Sequence, residues 1–337
     1  MAENVIHPPY IWFGGKRKVA PQIWRGLGDV DHYVEPFFGG GSVWLARPHE
    51  PRLETVNDYD GFVSNFWRAV HAEPEAVAEG MNWPVNEIDL EARHRELCRM
   101  PDKAKFLERM KREHDYYDVR RAAWWCWGLN AWIGKGWCGG EYYPEEPEAG
   151  KGSGICEGAN TRPHLSNGGE GVHRKLPHLG HGEAGEHERR GQVLRDWMLA
   201  LRDRLRNVRV CCGEWERVCT DGATAYGATV GVFLDPPYSA EANRHNSIYR
   251  CEDPTVAHRV RDWCIARSGQ PRYRIVLCAY EGEHNALERM GWRVEAWKTG
   301  GGFANLGAQG QGKINAGRER IWYSPSCQAA ASGPLFQ

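Results

Sequence analysis

The sequence predicts an α/β fold: a doubly wound, mostly parallel sheet with helices on both faces. Three observations carry that expectation. Short apolar runs alternate with helical patterns, a Gly-rich turn follows the first run, and Asp-Pro-Pro-Tyr follows a later one. Strands are expected at 32–35, 53–56, 230–234, 273–278, 293–297 and 320–323, where apolar and β-branched residues end in turn formers. Helical spacing fills 18–27, 60–71, 90–111, 116–133, 192–206 and 254–267. Strands separated by helices pair in parallel, because each crossover returns the chain to the same edge of the sheet.

The rhythm breaks between Ala72 and Gly191. The expected organisation is therefore a discontinuous core, 1–72 with 192–337, and an insertion over 73–191. The first half of the insertion reads as helical and charged. The stretch 139–191 is rich in Gly, His and Glu, shows no clear strand, and is expected to be a flexible segment. It holds a tandem echo at a spacing of 14 residues, with Pro163-His164-Leu165 recurring as Pro177-His178-Leu179. A surface loop and a nucleic-acid clasp both fit it. Its histidines lack a Cys or carboxylate frame, so no metal site is expected.

Bulk properties exclude little. Hydrophobic residues make up 41% and charged residues 26%, an ordinary globular balance. The formal net charge of -1 neither supports nor excludes nucleic acid, since a local basic face can hide in the total. The 16 Trp point either to aromatic walls around planar ligands or to a Trp-rich core. The 11 Cys form no C-x-x-C pair and read as reduced, buried thiols. Residues 1–9 have no signal-peptide pattern and no apolar run approaches a membrane span, so a soluble, cytoplasmic protein is expected.

Three constellations carry chemistry. In Val34-Glu35-Pro36-Phe37-Phe38-Gly39-Gly40-Gly41-Ser42 a strand runs into a Gly-rich turn before an apolar helix start. Such glycines let the backbone approach a ligand at the strand's carboxyl end, and the missing Lys-Ser/Thr pair argues against a phosphate cradle. Asp58 ends the second strand, where a carboxylate either accepts ribose hydroxyls or caps the next helix. The sharpest signal is Asp235-Pro236-Pro237-Tyr238 after an apolar strand. Two prolines give a rigid extended turn without backbone N–H groups, which leaves carbonyl oxygens and the Asp235 carboxylate as acceptors. An aromatic amino group has two N–H donors to satisfy. Asp235 and the Pro236 carbonyl can hold both, with Tyr238 as a flat wall against the ring.

These residues carry a family likeness. With Trp12-Phe13-Gly14-Gly15-Lys16 at the start, Glu35-Pro36-Phe37 through Gly41-Ser42, and Asp235-Pro236-Pro237-Tyr238 in that order, the chain resembles the Dam-type DNA adenine methyltransferases. The late segment from Glu319 to Pro325 is similar to phage-type members. The likeness covers about residues 8–72 and 226–325. It implies a Rossmann-like, S-adenosylmethionine-dependent core with an inserted target-recognition lobe, acting on the N6 amino group of a flipped adenine in double-stranded DNA. By that resemblance Trp12, Gly15 and Lys16 line the cofactor pocket, with Lys16 near the methionine end. Glu35, Phe37, Gly39 and Gly41 form the cofactor loop, Asp58 holds the ribose, and Asp235 borders the cofactor while gripping the adenine with Pro236, Pro237 and Tyr238. No metal and no covalent cysteine are required.

Within the insertion the family pattern fades. Trp127 to Trp132 is faintly similar to an aromatic-Gly-aromatic-Asn-Gly stretch, and 133–137 departs from it. Arg120, Arg121, Asn130 and Lys135 are candidates for DNA contact, against the alternative that they are surface helix residues. Amino methylation of cytosine ranks second, followed by methylation of RNA or of a protein amide and by a non-catalytic relative. The sequence does not state an oligomeric state, and a monomer is compatible with it.

Overall fold

A computed structural model of the chain describes residues 6–10, 12, 14–98, 103–113, 115–131, 137–138, 186–237, 255–297 and 317–328. The chain divides into two compact units, 1–12 with 59–206 and 246–252, and 13–58 with 207–245 and 253–337.

The second unit is built on a seven-stranded sheet. Its strands are β1 (His32–Glu35), β2 (Leu53–Asp58), β3 (Val208–Cys212), β4 (Val230–Leu234), β5 (Tyr273–Tyr280), β6 (Arg293–Ala296) and β7 (Glu319–Tyr323), in the order β3-β2-β1-β4-β5-β7-β6. Strands β1 to β5 pair in parallel; β7 runs antiparallel to both β5 and β6. The central strands β1 and β4 are buried along their whole length, as strands covered on both faces must be. One face packs Val232, Leu234, Ile275 and Leu277 against Val260 and Cys264 of α9 (Val256–Arg267), with Leu287 of α10 (Asn285–Glu288) and Trp292. On the other face Trp24 of α1 (Ala20–Leu27) lies 4.8 Å from the Tyr33 ring, and its indole N–H donates to the Val43 carbonyl in α2 (Ser42–Leu45) at 2.7 Å. This is the doubly wound, Rossmann-like α/β fold expected from the sequence.

The order reverses between β1 and β4: from there the chain winds outward in both directions. Open α/β sheets bind ligands outside the carboxyl ends of the strands at such a switch point. The Gly-rich turn follows β1 and Asp235 follows β4, so both motifs fall on this edge.

The first unit is helical among its described residues: α3 (Gly61–Ala72), α4 (Pro74–Met81), α5 (Glu87–Cys98), α6 (Lys103–Arg112), α7 (Val119–Ala131) and α8 (Glu186–Leu205). Its core is aromatic. The Tyr10 ring lies 5.3 Å from Phe66 and 4.9 Å from Trp125, both edge-on. Six tryptophans, Trp24, Trp44, Trp67, Trp125, Trp127 and Trp322, are among the largest fully buried side chains. The abundance of Trp is thus mainly a matter of core packing. No described helix is long and apolar enough to cross a membrane, and the nine described cysteines are all free.

Within the helix expected over 90–111 the structure describes α5 to Cys98 and α6 from Lys103, and residues 99–102 lie outside the described residues. Two sequence expectations need correcting. Strand β3 was not expected, because an edge strand buries only part of its residues and Val208-Arg209-Val210 lacks a continuous apolar run. Helix α8 begins at Glu186, earlier than the apolar spacing indicates. The rest of the 139–191 segment, with most of its repeat, lies outside the described residues apart from the start of α8.

Candidate active site

The turn after β1 owes its shape to two glycines. Gly39 and Gly41 have φ of 48° and 66°, in the left-handed region, and a Cβ at Gly41 would stand 2.8 Å from Cζ of Phe38. The Gly39 N–H donates to Oδ2 of Asp58 at 2.8 Å, which ties the turn to the end of β2. The capping role considered for Asp58 belongs to Asp60, whose Oδ1 accepts from the Phe62 N–H at 2.8 Å at the start of α3.

Next to the turn, Asn57 donates through Nδ2 to the carbonyls of Pro36 (3.0 Å) and Gly213 (2.9 Å), joining the carboxyl ends of β1, β2 and β3. The Gly213 N–H in turn donates to the Asp58 carbonyl at 3.0 Å. Phe37 and Trp215 then bring their rings to 5.9 Å at 32°, forming an aromatic wall at the switch-point edge. Trp215 is buried and its indole N–H has no partner among the described residues, as is also true of Oδ1 of Asn57. Buried polar atoms of this kind cost roughly 1–3 kcal/mol each when unsatisfied, which is tolerable where a ligand or water supplies the bond. Glu214, exposed beside Trp215, reaches toward Arg259 at 3.6 Å.

At the other side of the edge, Lys16 is 2% exposed and donates to the Gly14 carbonyl at 2.7 Å. Its Nζ stands 2.9 Å from Oδ2 of Asp235 and 3.9 Å from Oε2 of Glu319. Burial alone would lower the Lys16 pKa, but Asp235 and then Glu319 reverse this and carry it above the ordinary lysine value. Lys16 is a cation in this site. Glu35 behaves oppositely. It is buried, accepts from the Tyr33 hydroxyl at 2.8 Å, and its pKa is raised well above the carboxylate range, first by burial and further by Asp235. The Tyr33 hydrogen bond opposes this without overcoming it.

A carboxyl group protonated in the folded protein and ionised in the unfolded chain favours unfolding as pH rises. Both forms are protonated well below 4.5, the ordinary glutamate value, and the penalty grows above it toward the raised folded pKa. Glu35→Gln should therefore melt higher than the wild type at pH 8, with the difference shrinking at pH 4. Thermal melts across that range check this, and a constant offset would reject it.

The sequence-predicted residues separate into three groups. Lys16, Glu35, Phe37, Gly39, Gly41, Asp58, Asp235, Pro236 and Pro237 all lie in the sheet unit around the switch-point edge, and Gly15 adjoins Lys16. Trp12 belongs to the helical unit, 5.8 Å from Tyr10 and 6.0 Å from Trp125. Tyr238 and Lys135 lie outside the described residues. Of the other DNA-contact candidates, Arg120 is 63% exposed with Glu96 at 3.4 Å, and Arg121 is paired with Asp118 at 3.4 Å. Asn130 is buried, its amide donating to the carbonyls of Pro9 (3.0 Å) and Cys126 (2.9 Å). Sequence reasoning did not single out Trp215 and Glu319, which stand at this edge. The first would have followed from recognising β3, because it sits just past that strand's end.

Comparison with known proteins agrees with this geometry. Residues 12–131 match the family described as D12 class N6 adenine-specific DNA methyltransferase. Over that stretch the chain is similar to the D12 class. The D12 match takes in Lys16, the Gly-rich turn and Asp58, while the Asp235 turn lies beyond it. The chain is 36% identical over 77 residues to the DNA adenine methylase of Vibrio cholerae, covering 23% of this chain and 27% of that protein. It is 33% identical over 66 residues to the DNA N-6-adenine-methyltransferase of Escherichia phage P1, covering 20% and 8%. It is 26% identical over 123 residues to the type II methyltransferase M.MjaIII of Methanocaldococcus jannaschii, covering 34% and 37%. The chain thus spans about a quarter of the length of the Vibrio relatives it matches.

Proposed function

We propose that the chain is a site-specific DNA methyltransferase that moves a methyl group from S-adenosylmethionine to the N6 amino group of an adenine turned out of duplex DNA. The observation that carries this reading is the Asp235 carboxylate at the end of β4, fixed by a buried lysine on the same edge as the Gly-rich turn. The D12 match and the names of the relatives support adenine over cytosine as the base.

The residues on the edge suit a nucleoside-bearing methyl donor. Phe37 and Trp215 offer faces for a purine, and the buried Trp215 N–H and Asn57 Oδ1 are a donor and an acceptor awaiting partners. Asp58 stands where ribose hydroxyls are expected, and Gly39 and Gly41 keep the turn low enough for backbone approach. Lys16 faces the methionine end in this reading. When bound, S-adenosylmethionine supplies an already activated, electrophilic methyl group.

The protein's part is positioning and polarisation. Lys16 takes Oδ2 of Asp235 and so fixes the plane of the carboxylate. Asp235 and the Pro236 carbonyl accept the two amino hydrogens, which draws electron density onto N6 and turns its lone pair toward the methyl. Pro236 and Pro237 present no N–H that would compete for those acceptors. Tyr238 stacks on the base. The amino group of a paired base cannot reach this turn, so the adenine must leave the helix, at a cost of a few kcal/mol offset by pocket contacts.

Residues 73–191 serve target recognition, with Arg120 the most exposed of the described candidate DNA contacts; Asn130, buried against Pro9 and Cys126, supports the helical core instead. Such a substrate places the protein in the cytoplasm of a bacterial or phage-infected cell. The deciding experiment is transfer of labelled methyl from S-adenosylmethionine to unmethylated genomic DNA, followed by nucleoside analysis. Labelled 6-methyladenine is the expected product. Labelled 4-methylcytosine would overturn the base assignment, and label only in RNA or protein would overturn DNA as the substrate.

A further inference from the structure

We propose that Glu319 is a positioning residue for methyl transfer, acting on Asp235 through Lys16; the inference rests on the function proposed above. Strand β7 runs antiparallel to its neighbours, so its first residue returns to the edge where the parallel strands end. Glu319 pairs there with Tyr280, the last residue of β5. Its carbonyl also accepts from the Trp297 N–H at 3.3 Å, so its backbone is held from both sides. The side chain is buried.

The ammonium of Lys16 therefore sits between two carboxylates of unequal distance, Asp235 at 2.9 Å and Glu319 at 3.9 Å. The Trp297 ring centroid lies 5.8 Å away and completes the enclosure. Among the described residues, the other titratable groups facing the cluster are Cys278 on β5 and Glu35 on β1, and burial favours the neutral form of each. Among the described residues, one ammonium thus faces two carboxylates. At 3.9 Å Glu319 lies beyond hydrogen-bond range, so it acts by its charge.

If Lys16 served Asp235 alone, the pair would be neutral and the carboxylate a weaker acceptor for the amino hydrogens. Glu319 draws on the same ammonium, leaves Asp235 electron-rich, and restrains Lys16 from moving. Glu319→Gln keeps the size of the side chain and removes only the charge; Glu319→Asp keeps the charge on a shorter arm.

The test uses the full chain. It compares single-turnover methyl transfer at saturating S-adenosylmethionine and DNA with S-adenosylhomocysteine affinity by calorimetry. Glu319→Gln should slow transfer about tenfold while the affinity changes by less than about twofold, with Glu319→Asp intermediate in rate. Should the glutamine variant not fold, Glu319→Asp carries the test through the same split between rate and affinity. Transfer at the wild-type rate, or rate and affinity lost together without recovery in Glu319→Asp, overturns the proposal. A wild-type protein that methylates no DNA would instead refute the function on which it rests.

Discussion

Asp235→Ala slows methyl transfer by about 10²–10³-fold, the loss typical when one preorganised polar group is removed from a reacting centre. The expectation follows from the position of the carboxylate. Asp235 ends a fully buried strand, enters a turn stiffened by two prolines, and has one oxygen fixed by Lys16. Its orientation is set before any substrate arrives. Asp235→Asn is expected to fall between, because the amide oxygen still accepts one hydrogen while the charge that polarises N6 is gone. Single-turnover rates measured beside S-adenosylhomocysteine binding separate the chemical step from cofactor affinity. Transfer by Asp235→Ala at the wild-type rate would sink the mechanism.

The second large effect is on stability. Lys16→Met should destabilise the sheet unit by about 3 kcal/mol, since it removes a buried counter-charge from both Asp235 and Glu319. The low end of the usual range applies because Asp235 keeps 19% side-chain exposure and can recover some water, whereas Glu319 keeps 8%. For a unit of this size that corresponds to a melting-point drop of roughly 6–12 °C. Adding Asp235→Asn should return part of the loss, because it removes one of the stranded charges. If Lys16→Met melts with the wild type, the ion pair contributes nothing net to the fold.

How much of this was legible in the sequence varies element by element. Strands β1 and β4 are central and buried on both faces, so their apolar runs stood out and their bounds match those expected. The Gly-rich turn, Asp58 and Asp235 were legible because each ends such a strand. Strand β3 was not, since it lies at the sheet edge with half-exposed side chains. Missing it hid Trp215, whose importance depends on knowing that a third strand ends beside Phe37. Glu319 was hidden for another reason. Its site role depends on β7 running against the other strands, and no local pattern in Glu319-Arg320-Ile321-Trp322-Tyr323 states a direction. Lys16 was visible only through family likeness; by itself it reads as a surface charge, and its burial against Asp235 is a tertiary fact.

The insertion of β7 between β5 and β6 also sets a schedule. Both neighbours are synthesised before the strand that joins them, so during translation each presents a bare hydrogen-bonding edge. Until β7 arrives, those edges invite pairing with other nascent copies. A message stopped before codon 319 would yield chains with an open sheet and a Lys16 lacking one counter-charge. Such fragments are expected in inclusion bodies or degraded by proteases, so low yield from shortened clones would reflect an unfinished sheet rather than a missing catalytic group.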